Sequence, residues 1–312
     1  MTAISIIGAG VVGTATGKGL AQHGHDVSFV DINRDRIEIL RKEGYAASDT
    51  LILGDEPAII FLTVPTPNDG YRWDLDYIKA AARSVGEALH QSKAVHTVVV
   101  RSTVPPGTCD NIVRPILEEI TGKVVNEGFA LASNPEFLRA RSALEDFLHP
   151  RMTVVGSRSP RTLERLDDLL RPFGGELRRY NEPETAELIK CTHNLFNATK
   201  ISFWNELFQV SEHLQLDPKA VASAVAVSSE ASYNPEYGIA GGTPYGGACL
   251  PKDTKGFLGF AKSIGVQVPM AAATDEVNER MVLRTAAVLE RNADDLVLDS
   301  ELAKAGERLA AR

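Results

Sequence analysis

A cysteine in a glycine-rich segment is the residue of this sequence best placed for nucleophilic chemistry. Cys249 follows Gly246, Gly247 and Ala248 and precedes Lys252, at the predicted start of a helix. A helix N-terminus and a nearby cation favour the thiolate, which is the form of cysteine that attacks a carbonyl carbon. The alternative is a small buried apolar residue, because free cysteines are often simply buried. The residues alone leave both interpretations open.

Two polar residues on one predicted helix form a second candidate for chemistry. Lys190 and Asn194 are four residues apart in a helix predicted for Glu184–Leu214, so their side chains share one helix face. A cation and an amide placed together stabilise a developing oxyanion. The alternative is a solvated pair, since Lys and Asn are common at this spacing by chance. His193 lies beside them and is interpreted as a packing or capping residue.

A glycine-rich turn near the N-terminus predicts a dinucleotide site. Gly8, Gly10 and Gly13 follow a β-branched strand and precede a helix predicted for Thr14–His23, and Asp31 ends the next strand. The glycines let the backbone approach a pyrophosphate at the helix N-terminus, and the acid binds both ribose hydroxyls. An acid here disfavours a 2′-phosphate, so NAD is the predicted cofactor. A plain tight turn with a solvated acid is the alternative.

Strands that alternate with helices position these residues in the first part of the chain. The predicted strands are Ile4–Ile7, Asp26–Asp31, Ala58–Val64, Val95–Arg101, Phe129–Ser133 and Met152–Gly156. This alternation indicates an α/β protein with an N-terminal Rossmann-like, doubly wound parallel sheet, followed by an all-helical domain. We predict an NAD-binding domain over residues 1–183, a helical substrate and dimerisation domain over 184–291, and a C-terminal helix or tail over 292–312.

Apolar residues of the helix predicted for Glu184–Leu214 suggest two kinds of burial. One set recurs every three or four residues, which predicts a buried helix face. Its members are Leu188, Cys191, Leu195, Ala198, Ile201 and Phe208. A second set of apolar residues, which shares two members with the first, offers more apolar surface than one short domain is expected to cover. This excess predicts a homodimer. Its members are Leu195, Phe196, Phe203, Trp204 and Phe208.

Composition and charge exclude several classes of protein. The 312 residues carry 33 Lys and Arg against 41 Asp and Glu, and the net charge of −8 disfavours binding to nucleic acid. No apolar run is long enough to span a membrane, and the N-terminal run breaks at Gly8 before a signal-peptide core forms. Three scattered cysteines predict reduced thiols and a cytoplasmic protein, and no metal site is expected.

Motifs along most of the chain resemble, in order, those of the UDP-glucose/GDP-mannose dehydrogenase family. They are GAGVVG at 8–13, VPTP at 64–67, STVPPGT at 102–108, NPEFLR at 134–139, the helix with Lys190 and Asn194, GGACLPKD at 246–253, and DEVNER at 275–280. The resemblance implies oxidation of a primary alcohol to a carboxylate with two NAD molecules in turn. The implied substrate is a nucleotide-sugar such as a UDP-hexose.

The resemblance also implies roles for individual residues. Cys249 would form a thiohemiacetal and then a thioester, which water hydrolyses. The implied catalytic residues are Cys249, Lys190, Asn194, Glu136, Asp253 and Thr103. Those implied for the cofactor are Gly8, Gly10, Val11, Val12, Gly13, Asp31, Arg36, Val64, Pro65, Thr66, Ser102, Thr103 and Lys252. Those implied for the substrate are Glu136, Phe137, Leu138, Arg139, Lys190, Asn194, Tyr245, Gly246 and Gly247.

Three features of the sequence depart from the family pattern. Ala140 stands where members usually have a Glu near the nicotinamide. Residues 181–279 contain no Arg, although many members carry one in the loop before the catalytic cysteine. Members normally continue into a second α/β domain that binds the nucleotide, whereas this sequence ends at Arg312, so we expect a naturally short protein.

Alternatives to the implied reaction remain open at this point. One is a two-electron oxidation of a hydroxyacid, or the same four-electron chemistry on a smaller or carrier-linked alcohol. Another is a binding module that holds NAD without turnover.

Overall fold

The computed structural model describes residues 1–239 and 241–288, which fall into two units. The first unit is Met1–Leu195 and the second begins at Phe196. The division falls inside one long helix, twelve residues after the boundary predicted at residue 183. The predicted C-terminal helix or tail over 292–312 lies outside the described residues. No helix within the described ranges is long and apolar enough to cross a membrane.

One sheet of eight strands forms the centre of the first unit, in the order β3-β2-β1-β4-β5-β6-β7-β8. The strands are β1 (Ala3–Ile7), β2 (Asp26–Val30), β3 (Ala46–Ser48), β4 (Ile59–Leu62), β5 (His96–Val100), β6 (Phe129–Ser133), β7 (Met152–Gly156) and β8 (Glu176–Tyr180). The α/β class with a doubly wound sheet is confirmed. The sheet predicted to be parallel is mostly so, and the exception is the pairing of β6 with β7, which is antiparallel at Ser133 and Gly156.

Helices alternate with strands in the first unit, as predicted, and the chain then continues with consecutive helices. In the first unit they are α1 (Val11–Gln22), α2 (Arg34–Lys42), α3 (Asp76–Gln91), α4 (Arg114–Thr121), α5 (Ala143–Leu148) and α6 (Pro160–Leu170). Helix α7 (Pro183–His213) begins in the first unit and ends in the second. The second unit continues with α8 (Pro218–Ser228), α9 (Glu230–Tyr233), α10 (Leu250–Ser263) and α11 over residues 269–288.

Apolar side chains cover both faces of the sheet, which is why its strands are apolar throughout. Along β4, Ile59 and Phe61 belong to one buried cluster, and Ile60 and Leu62 belong to the other. Successive side chains of a strand point to opposite faces, so a strand with helices on both sides needs apolar residues at every position. This burial leaves the carboxyl ends of the strands as the place for polar chemistry.

The second unit is held together by a small core and a buried carboxylate. Val210, Ala261 and Val268 form the core. Glu206 of α7 is buried and caps α11, since its carboxylate accepts the N–H groups of Met270 and Ala271 at 2.6 and 3.0 Å. The carboxylate therefore satisfies two of the backbone donors that a helix N-terminus leaves unpaired.

The helix face predicted to be buried is largely exposed in the isolated chain. Leu188, Leu195, Ile201 and Phe208 of α7 are exposed over 54%, 66%, 61% and 47% of their surfaces. The prediction of a buried face is therefore wrong for these four residues and for Ala198, which is exposed as well. The reason is physical: periodicity reports that a face is apolar, but it does not report whether the same chain supplies the cover.

A fully buried histidine links the start of β5 to the loop before β4. His96 Nδ1 accepts the N–H of Ala58 at 3.1 Å, and its Nε2 lies 2.8 Å from the hydroxyl of Ser92. This arrangement requires a neutral ring with its proton on Nε2. Burial lowers the pKa of His96 from its ordinary value of 6.5, and the nearby charges of Lys123 and Arg165 lower it further.

We expect His96 to make the stability of the protein depend on pH. Because the folded pKa lies below the unfolded one, the unfolded chain takes up a proton first as the pH falls below 6.5, and stability is lost there. A His96→Gln variant keeps an acceptor and a donor without titrating. Between pH 7.5 and 5.5, wild type should lose up to about 1.4 kcal/mol more free energy of unfolding than the variant, as urea denaturation would measure.

The exposed residue His149 provides the control for this experiment. Its side chain is 73% exposed and its contact with Glu145, at 3.6 Å, is an exposed pair of little energetic weight, so His149→Gln should leave most of the pH dependence of wild type in place. Equal pH dependence in wild type and His96→Gln would contradict the assignment of a buried neutral ring.

Candidate active site

Three glycines shape the turn between β1 and α1: two of them allow close packing of the backbone, and the third leaves free space beside it. Gly8 has φ of +98°, and a Cβ there would lie 2.9 Å from the carbonyl oxygen of Thr63. A Cβ on Gly13 would collide with the carbonyl oxygen of Gly8. Apart from Gly10 and its two chain neighbours, no described residue has an atom within 4 Å of the place that a Cβ on Gly10 would take. The open backbone at Gly10, just before α1, suits a phosphate at a helix N-terminus.

The acid at the end of β2 already holds the turn in place. Asp31 is only 8% exposed; its Oδ2 accepts the N–H of Ala9 at 2.6 Å and its Oδ1 accepts that of Asn33 at 2.8 Å. Arg36 lies 3.5 Å from the same carboxylate. Each carboxylate oxygen can accept more than one hydrogen bond, so Asp31 keeps acceptor positions for the hydroxyls of a ribose.

A cavity of about 610 Å³ opens beside this turn, within the first unit. Its volume lies in the range of small-molecule and cofactor sites. Among the residues predicted to bind the cofactor, Gly8, Gly10, Val11, Val12, Asp31, Arg36, Val64, Pro65, Thr66, Ser102 and Thr103 line it. Glu136, predicted to be catalytic, lines it as well. Gly13 does not; it packs under the turn instead.

Several lining residues were missed by sequence reasoning. They are Ile7, Val30, Ile32, Asn33, Asp49, Thr63, Tyr77, Ala80, Ala81, Ser84 and Arg101. Ile32 lines the cavity with 86% of its surface exposed. Arg101 carried a usable signal, because it is the last residue of a predicted strand and therefore reaches the sheet edge where ligands bind. Tyr77 and Ser84, on α3, carried none.

Two loops that line the cavity are tied to each other by hydroxyl groups. Thr66 donates to the carbonyl oxygen of Thr103 at 2.6 Å, and Ser102 donates to that of Val64 at 2.6 Å. Thr63 donates in the same way to Ile7 and Gly8, at 2.9 and 2.6 Å. These bonds fix the VPTP and STVPPGT segments before any ligand arrives, which lowers the entropy cost of binding.

Glu136 and Lys190 form a buried ion pair beside the cavity. Lys190 Nζ lies 3.1 Å from Glu136 Oε1, and the two side chains are exposed over only 6% and 11%. Glu136 Oε2 also accepts the N–H of Leu138 at 2.5 Å. Lys190 Nζ stands 5.4 Å from the ring centre of Phe137, a cation–π distance. The start of α7 thus places a cation against the NPEFLR segment.

A second buried carboxylate fixes α7 to the loop after β5. Glu187, 1% exposed, accepts the N–H groups of Gly107 and Cys109 at 2.5 and 2.9 Å. Burial raises the pKa of Glu187, and the two N–H donors oppose that rise. Cys191, one turn further on, donates its thiol to the carbonyl oxygen of Val104 at 3.3 Å. The helix that carries Lys190 is therefore bonded to the loop that carries Ser102 and Thr103.

Three further residues singled out from the sequence lie near the buried ion pair and differ in their contacts and exposure. Arg139 makes a bidentate ion pair with Asp146, at 2.6 and 3.0 Å, and these bonds hold the pKa of Asp146 well below its usual range. Asn194 is exposed, one turn after Lys190 on α7. His193 packs edge-on against Phe137, with ring centres 4.9 Å apart. Burial lowers the pKa of His193, as does the charge of Lys190.

The remaining predicted residues belong to the second unit. Cys249 is exposed and stands at the N-terminus of α10, where its carbonyl oxygen accepts the N–H of Asp253 at 2.8 Å. Lys252 and Asp253 form an exposed ion pair at 3.0 Å. Tyr245, Gly246 and Gly247 precede the cysteine, and Gly247 has φ of +81°. The predicted position of Cys249 at a helix start is therefore observed.

Comparison with known families assigns both halves of the chain. Residues 2–53 and 47–174 match the NAD binding domain of the UDP-glucose/GDP-mannose dehydrogenase family. Residues 184–280 match its central domain. The prediction of NAD as the cofactor is confirmed by this match.

Individual relatives agree with this assignment. GDP-mannose 6-dehydrogenase of Pseudomonas aeruginosa is 30% identical over an aligned length of 326 residues. The alignment covers 97% of this chain and 72% of that protein. UDP-glucose 6-dehydrogenase AglM of Haloferax volcanii is 33% identical over an aligned length of 318 residues, and the alignment covers 93% of this chain and 73% of that protein.

Solved structures give the same result for the fold. A ternary complex of GDP-mannose dehydrogenase from Pseudomonas aeruginosa matches with a TM-score of 0.83 and 30% identity, over 92% of this chain and 71% of that one. UDP-glucose dehydrogenase of Pyrobaculum islandicum matches with a TM-score of 0.68 and 33% identity, over 94% of this chain and 72% of that one. The chain belongs to the UDP-glucose/GDP-mannose dehydrogenase family, which consists of NAD-dependent oxidoreductases that act on CH–OH groups.

Proposed function

We propose that this protein oxidises the primary alcohol of a nucleotide-sugar to a carboxylate, in two oxidations that use two NAD molecules. The buried Glu136–Lys190 pair carries the proposal, because it places a carboxylate and a cation beside the dinucleotide cavity. Further support comes from the relatives, which are GDP-mannose and UDP-glucose 6-dehydrogenases.

The residues of the cavity fit NAD by their chemistry. The free backbone at Gly10 and the first amides of α1 suit the pyrophosphate, and Asp31 suits the ribose hydroxyls. Arg36, the VPTP turn and Ser102 complete the cofactor site that we propose, with Lys252 approaching the pyrophosphate. When bound, NAD supplies the hydride acceptor for both oxidations.

Cys249 is proposed as the nucleophile that keeps the substrate bound between the two oxidations. Its thiolate attacks the aldehyde carbon, a C–S bond forms, and the carbonyl oxygen becomes the oxyanion of a thiohemiacetal. Lys190 and Asn194 stabilise that oxyanion. The second oxidation converts the adduct to a thioester, so the reactive aldehyde is never released.

Hydrolysis of the thioester completes the proposed reaction. Water attacks the thioester carbon, the C–S bond breaks, and the carboxylate leaves while the Cys249 sulfur regains a proton. Glu136 and Asp253 are proposed to activate this water or to relay its proton. Thr103 is proposed to position the water or the alcohol. Phe137, Leu138, Arg139, Tyr245, Gly246 and Gly247 are proposed to bind the substrate. Arg139 would then have to exchange its ion pair with Asp146 for the substrate.

We also propose a homodimer and a cytoplasmic location. Phe196, Phe203 and Phe208 of α7 are exposed over 66%, 41% and 47%, and large apolar areas of this kind are usually covered in an assembly. Trp204 and Phe208 line a groove of about 470 Å³ with Pro218 and Val221 of α8. A reducing compartment keeps Cys249 in the reduced state that the proposed reaction requires.

The number of NADH molecules formed per substrate tests the proposed function. Two NADH for each UDP-glucose or GDP-mannose consumed, with the uronate as product, is the expected result. One NADH with an accumulating carbonyl compound would instead support the two-electron alternative. Turnover only with simple phosphorylated alcohols would contradict the nucleotide-sugar, and binding of NAD without turnover of any alcohol would contradict the enzyme activity.

A further inference from the structure

A buried arginine at the end of β5 has no role in the reaction described above. Arg101 follows the last residue of this strand, and its side chain is 5% exposed. Burial lowers the pKa of Arg101 to about 10, while the charge of Glu136 opposes the shift. The guanidinium is therefore still charged at neutral pH. Burying such a charge is costly unless hydrogen bonds and an opposite charge compensate it, so its contacts indicate what it does.

The contacts of Arg101 join three separate elements. Its Nε donates to the hydroxyl of Thr16 on α1 at 2.8 Å. Its Nη1 donates to the side-chain oxygen of Asn134, just after β6, at 2.5 Å. Its guanidinium carbon lies 5.2 Å from the ring centre of Phe147 on α5. The planar group is thus fixed in its own plane by hydrogen bonds and stacked on one face.

Asn134 passes this constraint on to Glu136. Asn134 is fully buried, its Nδ2 donates to the carbonyl oxygen of Val154 at 2.7 Å, and its backbone N–H donates to that of Val100 at 2.9 Å. Only Pro135 separates it from Glu136, and a proline has a fixed φ. Asn134 therefore fixes the backbone from which the Glu136 side chain extends, and the carboxylate itself is held by Lys190 and by the N–H of Leu138.

The second terminal nitrogen of Arg101, Nη2, has no hydrogen-bond partner among the described residues, although Nε and both contacts of Nη1 are accounted for. Arg101 lines the same cavity as Glu136. The guanidinium thus holds the backbone that presents Glu136, and the same residue lines the cavity that Glu136 lines.

We propose that Arg101 is a positioning residue, which holds Glu136 against Lys190 through Asn134 and its own charge. The proposal deepens the proposed function, since it rests on a role for Glu136 in the reaction. Lysine at this position would keep the positive charge but would not reach Thr16 and Asn134 together. Arg101→Lys therefore separates the fork-shaped hydrogen bonding from the charge.

A crystal structure of a variant tests the proposal independently of enzyme activity. In a crystal structure of Arg101→Lys, the expected change is a rotated Asn134 amide and a lost 3.1 Å contact between Glu136 and Lys190. An unchanged Asn134–Glu136 segment in a folded variant would overturn the proposal, whatever reaction the protein catalyses.

A double-mutant cycle with Glu136→Gln tests it in the active enzyme. We expect Arg101→Lys to lower kcat about 10-fold and to change the KM for NAD by less than about 3-fold, because an indirect effect on one reacting group appears in kcat. In the Glu136→Gln background the same substitution should have almost no further effect on kcat. Additive effects of the two substitutions would overturn the positioning role. No effect of Glu136→Gln alone would instead contradict the role of Glu136 in the proposed function.

Two further variants keep the test decisive. Arg165 is also desolvated and donates to Thr97 and to the carbonyl oxygen of Pro57, away from the cavity, so Arg165→Lys should leave kcat unchanged. If Arg101→Lys does not fold, Thr16→Val removes only the acceptor of Nε with little change of shape. It should lower kcat several-fold in wild type and leave it unchanged in Glu136→Gln; equal reductions in both backgrounds would overturn the proposal.

Discussion

Replacing Cys249 with alanine should lower the rate of carboxylate formation by about 10³-fold or more, as the loss of a covalent nucleophile does in other enzymes. Without the thiol, the aldehyde is no longer retained, so at most one NADH should form per substrate and free aldehyde should appear. NADH absorbance and an aldehyde-trapping reagent measure the two quantities. Because Cys249 is exposed at the start of α10, its replacement by alanine should leave folding intact.

A second cysteine provides the matched control for this variant. Cys191 is half-buried and donates its thiol to the carbonyl oxygen of Val104, a bond that a serine hydroxyl can make as well. Cys191→Ser should therefore keep two NADH per substrate. If Cys249→Ala also kept two NADH per substrate, the covalent mechanism would have to be abandoned.

Replacing Asp31 with alanine should raise the KM for NAD by about 10- to 100-fold, because hydrogen bonds to a charged group contribute about 1.5–3 kcal/mol. Arg36, 3.5 Å from Asp31 in the native protein, would then be free to bind a 2′-phosphate. The variant should accordingly use NADP better than wild type does. Steady-state kinetics with both cofactors measure the change, and kcat at saturation should move far less than KM.

The Asp31 variant carries its own structural cost and its own control. The N–H groups of Ala9 and Asn33 lose their acceptor, which should reduce the free energy of unfolding by about 1–3 kcal/mol. Adding Arg36→Gln should remove the gain with NADP without restoring the KM for NAD. An unchanged preference between NAD and NADP in Asp31→Ala would mean that another residue selects the cofactor.

The dinucleotide turn was predictable because its signal is local. Glycines at 8, 10 and 13 must follow a strand and open a helix, and each of these conditions can be recognised in a short stretch of sequence. The second hydrogen-bonding task of Asp31, which holds Ala9 from 22 positions away, was not predictable, since nothing in the sequence states which backbone groups a side chain meets.

Elements with weak apolar patterns were missed for a physical reason. Strand β3 (Ala46–Ser48) has three residues, and β8 (Glu176–Tyr180) is polar and charged, so neither shows the apolar run of a buried strand. Both lie at the edges of the sheet, where one neighbouring strand is absent and burial is incomplete. Propensity could therefore identify the centre of the sheet but not its margins.

The residues around Glu136 show where sequence reasoning ends. Lys190 was selected by its helical spacing from Asn194, and Glu136 was given its role by resemblance. Their ion pair and the nearby cation of Arg101 depend on which strand ends meet in space. Arg101 and Asn134 are 33 positions apart, and only the order β4-β5-β6 brings them together. A topology is needed before such a contact can be expected.

The composition of β8 bears on how copies of this protein can associate. An open sheet edge offers unpaired backbone groups to another chain, and natural proteins discourage such pairing with charged side chains and short edge strands. Arg178 and Arg179 place two cations on one edge, and β3 closes the other with three residues. Strand addition and amyloid-like stacking are disfavoured at both margins, so the homodimer proposed above would have to form through another surface, such as the exposed apolar face of α7.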